Sequence, residues 1–407
     1  MLKFIGMLQD KIKRYITKIF NKVVVHNKHL RPKGKYFTIQ EYIGCTENAE
    51  CQEVFPSYTS YLEVSEDFRN NFANFVATPH IAQIPAMRIV SIPNGRVHTD
   101  KSSSVAIISG NNKLIGEISF DFSKANPLDE NNIFEQTFFH KPKKFKGTVF
   151  TMLIGGGGIL NYSHFLYDSV ARIAMLKKSG WYDEVDWFLV PSCKRDYQRD
   201  ALRMLGIDES KVIQGDIDNH IQADRLIATT YTRYHDHIPT WCCQFLRDEF
   251  LKFNNPFSET IKNSPYVYVS RNDSDKRRVL NEPKLMNMLG KYGFKSFELA
   301  KLSFQDKISL FASAKIIIAT IGAGQANLVF CESGTNVIEL MPKDFTQPFF
   351  NDLSNKVNLN YDYLICRSDG HAQNIKQGEK LNLIADINEI EKRVQKILNE
   401  AAVSVLP

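Results

Sequence analysis

The chain has 407 residues, of which 43% are hydrophobic and 24% charged, and its formal net charge is +6. This length predicts two or three domains, and the composition excludes a mainly disordered, collagen-like or coiled-coil architecture. Ten Lys/Arg and one Asp stand in residues 1–35, so the rest of the chain carries −3 and is not expected to bind nucleic acid.

The first predicted element is a basic amphipathic helix over residues 2–24. Its apolar residues recur at spacings of three and four among lysines: Ile5, Leu8, Ile12, Ile16, Ile19 and Val23. Such a helix can lie in the headgroup layer of an anionic membrane, or it can pack its apolar stripe on the protein's own core. We expect the membrane role because the basic residues cluster here, and we assign residues 1–35 to this helix and its linker. Charges interrupt the apolar residues and no small-residue cleavage site follows, so a signal peptide is not expected.

Residues 36–255 are predicted to form the first folded domain. Its opening section, 36–150, is expected to be β-rich, because short apolar runs alternate with turn signals. Strand and helix then alternate to residue 255. The predicted strands are 88–92, 104–108, 115–120, 149–154, 187–190, 212–213 and 225–228, and the predicted helices are 161–176, 196–205 and 241–253.

Residues 256–383 repeat the alternation and are predicted to form the second domain, followed by a closing helix in 384–407. The predicted strands are 266–270, 295–297, 315–320 and 336–341, and the predicted helices are 282–292, 304–312 and one that starts at 326–330. Strands alternating with helices indicate a parallel sheet covered on both faces. We therefore predict an α/β protein with two Rossmann-like domains that face a cleft.

A first candidate site follows four glycines, 155–158, which end a predicted strand and open a helix. His164 and Asp168 are four residues apart and share one helix face, and Arg172 extends this polar stripe. A His–Asp pair can take a proton from a hydroxyl nucleophile, with either residue as the base. The alternative is that the glycines serve packing and the stripe is solvated.

A second candidate site lies at Gly322, Ala323 and Gly324, after the most apolar predicted strand and before Asn327. Backbone N–H groups and the dipole at the start of a helix favour an anion such as a diphosphate, and a Cβ would keep the phosphate away. A Gly-x-Gly turn can also serve packing only. Glu339 is predicted to end the next strand, where it could accept hydrogen bonds from ribose hydroxyls or be an ordinary strand-end charge.

A third candidate site begins where another predicted strand ends. Arg271 follows residue 270 directly, so its guanidinium could pair with phosphate, and Arg277 or Arg278 could do the same. Asn281 is predicted to cap the following helix. The seven cysteines show no metal-ligand spacing and an irregular pattern, so we expect reduced thiols and no metal site.

The chain resembles glycosyltransferase family 61 in several sequence stretches that contain these candidate residues. The resemblance is carried by Asn-Tyr-Ser-His-Phe-Leu-Tyr-Asp from Asn161, Tyr-Val-Tyr-Val-Ser-Arg from residue 266, Arg-Arg-Val-Leu-Asn-Glu from Arg277, and Gly-Ala-Gly-Gln-Ala-Asn from Gly322, in the family's order. It covers about residues 150–345. Ile321 stands where members usually have His, and Phe165 where they usually have Trp.

The resemblance implies a GT-B fold and inverting transfer of a sugar from a nucleotide sugar to a glycan or lipid-linked hydroxyl, without an essential metal or other cofactor. It places His164 and Asp168 on the acceptor side, and Asn161 and Arg172 of the same segment are expected to bind substrate. The residues that it implies for the nucleotide sugar are Arg271, Gly322, Ala323, Gly324, Asn327 and Glu339.

The location expected with this function is the cytoplasm of a bacterium, at the inner face of the cytoplasmic membrane, in capsule or lipopolysaccharide biosynthesis. The cysteines look reduced, no apolar run is long enough to cross a bilayer, and a glycosylation sequon at Asn161 would fall inside the site. A lipid-linked acceptor would explain the basic helix at 2–24.

The alternative function is a non-catalytic nucleotide-sugar binder or scaffold, and Ile321 at the usual His position is the feature that favours it. A dehydrogenase is disfavoured because the motif Gly-x-Gly-x-x-Gly is incomplete at Gly322.

Overall fold

The structure is a computed structural model that describes residues 27–70, 79–124, 130–155 and 157–403. The predicted helix at 2–24 therefore lies outside the described residues. None of the helices within these ranges is both long and apolar enough to cross a membrane.

The first half of the described chain contributes thirteen strands. In chain order they are β1 (Lys35–Tyr36), β2 (Glu50–Phe55), β3 (Tyr58–Tyr61), β4 (Ile81–Ile84), β5 (Met87–Pro93), β6 (Arg96–Thr99), β7 (Ser104–Ile108), β8 (Leu114–Ile115), β9 (Phe120–Asp121), β10 (Lys143–Thr151), β11 (Trp187–Val190), β12 (Val212–Gln214) and β13 (His220–Thr229).

Eleven of these strands form one mixed sheet in the order β1-β8-β7-β6-β13-β10-β11-β12, with β5, β2 and β9 branching from it. The strands β13, β10, β11 and β12 run parallel, whereas β5 and β6 pair antiparallel with β13. The β-rich section and the first α/β section therefore share a sheet. The strands β3 and β4 form a separate antiparallel pair.

The second sheet consists of β14 (Tyr266–Ser270), β15 (Lys295–Glu298), β16 (Ile316–Thr320), β17 (Asn336–Pro342), β18 (Asn360–Ser368) and β19 (Leu383–Ile384). Its order is β15-β14-β16-β17-β18-β19, and all pairs are parallel except the last. Every residue of β16 is buried, as expected for a central parallel strand covered on both faces. The mixed α/β fold with parallel sheets is confirmed.

The remaining regular elements are helices. The α-helices are α1 (Ile39–Gly44), α2 (Glu66–Asn70), α3 (Gly157–Leu160), α4 (Tyr162–His164), α5 (Arg172–Lys178), α6 (Asp196–Met204), α7 (Thr240–Phe250), α8 (Glu282–Leu289), α9 (Phe304–Ser313), α10 (Phe349–Lys356), α11 (Ile375–Gly378) and α12 (Ile387–Val403), with a π-helix at Phe165–Val170. The 3₁₀ helices are Lys28–Leu30, Gly116–Ile118, Asn132–Phe134, Tyr182–Glu184, Glu209–Lys211, Leu251–Phe253, Gly290–Tyr292, Leu299–Lys301 and Ala323–Phe330.

The apolar core of the described residues consists of four clusters, and the largest is called the central cluster. The central cluster takes residues from both halves: the rings of Phe250 and Phe304 lie 5.0 Å apart, and those of Tyr167 and Phe349 lie 5.5 Å apart. Of the other clusters, one contains Ile39 with Val90 of β5, and another contains Ile390 with Ile318 of β16. Each such buried side chain contributes about 1.5–3 kcal/mol. The two halves are thus joined by packed helices.

Three local predictions are corrected. The helix predicted over 161–176 is divided by the π-helix at Phe165–Val170. The closing helix begins at Ile387, because Leu383–Ile384 pairs with β18. Asn281 precedes α8 but does not cap it, since its side chain exchanges hydrogen bonds with the backbone of Ala385. The domain boundaries stay predictions; the one at 255/256 falls in the connection between α7 and β14.

Candidate functional site

A cleft of about 390 Å³ opens where loops of the two halves meet. From the first half it is lined by Leu160 and Tyr162 and by residues 195–197; from the second half, its lining includes residues 269–271 and Gly324. These segments follow the carboxyl ends of the parallel strands β10, β11, β14 and β16. Ligands of open α/β sheets bind at such edges, so this cleft is the candidate site.

Arg271 and Gly322 are brought together by strand register. Val269 pairs with Ala319, so the residues just beyond β14 and β16 lie side by side. The Arg271 Nε donates to the Lys276 carbonyl at 3.1 Å, and a Cβ added to Gly322 would lie 2.0 Å from Nη1 of Arg271. Gly322 has an extended φ of 169°, so glycine is required here by space and not by conformation.

The predicted anion-binding turn begins a 3₁₀ helix at Ala323, not an α-helix at 326. Gly324 and Asn327 line the cleft, whereas Gly322 is buried under Arg271. The Asn327 Nδ2 donates to the Gly324 carbonyl at 2.8 Å, and its Oδ1 accepts from the Tyr162 hydroxyl at 2.5 Å. The Asn327 side chain therefore ties the turn to the first half of the chain.

Glu339 lies in the middle of β17, not at its end, and it is fully buried. Its carboxylate accepts hydrogen bonds from Gln325 Nε2 at 2.6 Å and from the Tyr361 hydroxyl at 2.5 Å. Burial raises the pKa of Glu339 to about 8, against the opposing effect of these bonds. Gln325 lines the cleft and Glu339 does not, so a contact of Glu339 with a ligand would be indirect.

Arg277 and Arg278 lie outside the cleft lining, unlike Arg271. Arg277 is buried and donates to the Glu379 carbonyl at 3.0 Å. Burial, and then the charge of Arg271, lower the pKa of Arg277 to about 10. Arg278 is exposed and donates to Asn272 Oδ1 at 3.2 Å. Of the three arginines, Arg271 is therefore the one placed to contact a ligand in the cleft.

His164 and Asp168 form the expected pair, joined by an arginine that sequence reasoning missed. Asn161, itself exposed, caps α4 through its Oδ1, which accepts from the backbone N–H groups of residues 163 and 164. The His164 Nδ1 lies 2.6 Å from Asp168 Oδ2. Arg233 places Nε 2.5 Å from Oδ1 and Nη2 3.0 Å from Oδ2 of the same carboxylate. A lone arginine in the loop after β13 carries no local signal of this role.

Neighbouring charges keep the Asp168 carboxyl ionised, and the hydrogen bond to Asp168 occupies one ring nitrogen of His164. Burial alone would raise the pKa of Asp168, but Arg233 and His164 outweigh it and hold the pKa far below its usual range. Asp168 is therefore an ionised carboxylate that accepts from Nδ1–H of His164. The His164 side chain is 42% exposed, and no described residue bonds its Nε2, which is left as the proton acceptor.

Arg172 is buried and used internally. Its Nε donates to the Asp168 carbonyl at 2.8 Å, and its Nη1 donates to the carbonyl and hydroxyl oxygens of Thr229 at 3.1 and 2.8 Å. Burial lowers its pKa to about 10. Arg172 thus fixes the π-helix to β13, and a substrate contact is not open to it while these bonds hold.

His164 and Asp168 do not themselves line the cleft. Leu160, four residues earlier than His164, does line it, and so does Tyr162. The pair therefore belongs to the segment that forms the cleft wall, next to the lining residues. Ile321, where the family usually has His, is 2% exposed and packs in the central apolar cluster.

The described residues contain no cluster of three or more His, Cys, Asp or Glu side chains that could hold a metal ion. All seven cysteines are free thiols. Besides Arg195 and Arg271, the cleft wall contains a third cation, the buried Lys307 of α9, which was not anticipated from the sequence.

Comparison with known proteins gives a family match and a structural likeness. Residues 162–338 match the model of the family Glycosyltransferase 61. No curated protein matches the chain. Among solved structures, the bacterial iron-containing dodecameric glycosyltransferase TibC from enterotoxigenic E. coli H10407 is 10% identical, with 79% of this chain and 94% of that chain covered. Its TM-score of 0.30 is too low to support an argument about this chain.

Proposed function

Because the chain carries a glycosyltransferase family 61 domain, we propose that it is an inverting glycosyltransferase that moves a hexosyl or pentosyl group from a nucleotide sugar to an acceptor hydroxyl. The observation that carries this proposal is the cleft between the carboxyl ends of two sets of parallel strands, with the Arg271 guanidinium in its wall. The finer description of the fold as GT-B, with two Rossmann-like domains, is part of the same proposal and is supported by the two parallel sheets.

The diphosphate of the donor is proposed to lie against Arg271 and the turn at Gly324. The Arg271 Nη1 has no hydrogen-bond partner among the described residues, and burial lowers the pKa of this guanidinium, with a smaller opposing effect of Asp273. Arg271 is half-buried, and a partly desolvated cation without a paired carboxylate gains from an anionic ligand. Arg271 would therefore stabilise the charge that develops on the leaving diphosphate.

The acceptor hydroxyl is proposed to lose its proton to Nε2 of His164. The oxygen of the acceptor hydroxyl forms the new bond to the anomeric carbon, while the bond from that carbon to the diphosphate oxygen breaks on the opposite side. Asp168 orients the imidazole and stabilises its protonated form, and Arg233 keeps Asp168 ionised. Because the pKa of Asp168 is held so low, His164 is the better candidate for the base.

Metal independence is part of the proposal, since the charge of the leaving group would be met by side-chain cations. The proposal also includes a glycan or lipid-linked acceptor. It further includes a role in capsule or lipopolysaccharide synthesis at the inner face of a bacterial cytoplasmic membrane. The concentration of Lys and Arg in residues 1–35 supports attachment to an anionic membrane surface.

The proposal is tested by donor turnover with the purified chain. UDP-, GDP-, dTDP- and ADP-sugars are incubated with and without EDTA, and release of the nucleoside diphosphate is measured. At least one donor should be cleaved equally in both conditions. Arg271→Ala should lower kcat/KM about 10- to 150-fold, as expected for loss of one charge-assisted hydrogen bond.

Arg278→Ala is the matched control, because this arginine belongs to the same loop but is exposed and outside the cleft lining. It should retain wild-type turnover. No turnover of any donor by folded wild-type protein would refute the enzyme and favour the scaffold reading. Full loss with EDTA would refute metal independence alone.

A further inference from the structure

Lys307 is a buried cation in the cleft wall that the proposed mechanism does not yet use. It lies in α9, it is 7% exposed, and it lines the same cleft as Arg271. Burial lowers its pKa, against weaker opposing effects of acidic residues farther away. Lysine is rarely buried to this degree without a paired acid.

The surroundings of Lys307 are aromatic. Its Nζ lies 5.5 Å from the ring centre of Tyr162 and 5.7 Å from that of Tyr197. Both rings belong to the first half of the chain, whereas Lys307 belongs to the second. Cation–π contacts compensate part of the lost hydration, but no described carboxylate forms an ion pair with this ammonium group.

The buried Lys307 and the half-buried Arg271 thus share one cleft, and neither forms an ion pair with a described carboxylate. Arg271 follows β14, and Lys307 reaches the cleft from α9, so they approach from different elements. The acids of the lining, Asp196 and Asp273, are exposed. A small polyanion would relieve the charge of both cations at once.

We propose that Lys307 is a second anion-binding residue of the cleft, which pairs with an anionic oxygen of the nucleotide sugar. This inference rests on the proposed function and extends it. The oxygen can belong to the terminal phosphate of the diphosphate or to a carboxylate of an acidic sugar. Tyr162 and Tyr197 hold the ammonium group in place and limit its hydration.

The test measures binding by calorimetric titration with UDP, GDP, dTDP and ADP, followed by the monophosphate of whichever binds best. Lys307→Met keeps the aliphatic stem and removes the charge; Lys307→Arg restores a cation. We expect Lys307→Met to weaken diphosphate binding about 10- to 100-fold and Lys307→Arg to recover part of it. Lys301→Met, an exposed lysine outside the lining, is the matched control and should bind as wild type.

The two sources of the anion are distinguished by ligand. If the loss occurs with the diphosphate but not with the monophosphate, Lys307 contacts the terminal phosphate. If it occurs only with UDP-glucuronate and not with UDP-glucose, it contacts a sugar carboxylate. Either result supports the proposal.

Thermal unfolding separates a ligand role from a structural one. Removing a buried unpaired charge should leave the midpoint of Lys307→Met equal to or above that of wild type, whereas a structural lysine would lower it. Equal affinity of Lys307→Met and wild type for every ligand overturns the inference and leaves the proposed function standing. If wild type binds none of them, the proposed function fails, and this inference with it.

Discussion

Gly322→Ala offers a sharp test of how the strand ends are arranged. The added Cβ would lie 2.0 Å from Nη1 and 2.9 Å from Cζ of Arg271. Nonbonded heavy atoms need about 3.5 Å, so the guanidinium must retreat by about 1.5 Å. Because φ is extended at Gly322, alanine introduces no backbone strain. The substitution should therefore displace Arg271 at little cost to folding.

A shift of this size breaks a hydrogen bond from Arg271 to a phosphate oxygen, which corresponds to about 1.5–3 kcal/mol and about a 10- to 150-fold loss in kcat/KM. The assay is release of nucleoside diphosphate, with the unfolding midpoint measured in parallel. Gly290→Ala is the control, since no atom lies within 4 Å of its added Cβ.

A double-mutant cycle shows whether Gly322 acts through Arg271. In an Arg271→Ala background, Gly322→Ala should add little further loss, because the displaced group is already absent. Full additivity of the two losses, or wild-type turnover of Gly322→Ala, would refute the reasoning.

Three further substitutions probe other parts of the account. Arg233→Met should raise the pKa of Asp168, whose burial is then opposed mainly by His164, and a carbon-13 NMR titration of the Asp168 carboxyl should show this upward shift. Burial lowers the pKa of His98 and His220 to about 4. The free energy of unfolding should therefore fall as pH drops from 6.5 towards 4, by at most about 3 kcal/mol for each histidine. Urea titrations at several pH values should show a shallower fall in His98→Gln than in wild type. Thr320→Val removes a buried hydroxyl without a described partner, so the free energy of unfolding should be unchanged or up to about 1 kcal/mol higher.

Each of these predictions has an outcome that contradicts it. An unshifted titration of the Asp168 carboxyl in Arg233→Met would contradict the role assigned to Arg233. An identical pH dependence in His98→Gln would remove that histidine from the acid response. Thr335→Val is the contrast for Thr320, because the Thr335 hydroxyl donates to the Ala314 carbonyl at 3.0 Å and its loss should cost about 1 kcal/mol; equal costs at the two sites would contradict the assignment.

The strands β14, β15, β16 and β17 of the second sheet were predicted, and β14, β16 and β17 are buried along most of their length. The strands β18 and β19 were not predicted, because β18 mixes polar and apolar residues that are mostly half-buried and β19 has two residues. The fully buried run at Ile316–Thr320 predicts a central strand of a parallel sheet, and the end of the run marks the carboxyl edge of that sheet. The first sheet could not be predicted in full, because β5 and β6 join β13 through pairings distant in sequence. The π-helix at Phe165–Val170 also leaves no signal, since apolar spacing fits an uninterrupted helix equally well.

The site residues that directly follow strands could be predicted, whereas those brought to the site by tertiary packing could not. Arg271 and Gly322 follow adjacent strands, so their proximity could be inferred. Arg233 and Lys307 reach the site from a loop and a helix with no local pattern. Glu339 is a polar residue that internal hydrogen bonds satisfy, which a sequence pattern does not distinguish from a ligand contact.

The central claim is sugar transfer with inversion at the anomeric carbon. Proton NMR of a cleaved α-linked nucleotide sugar, recorded before mutarotation, reports it directly with water as the acceptor. The account predicts that the first sugar released is the β-anomer. Release of the α-anomer would contradict it, and so would intact donors throughout the panel.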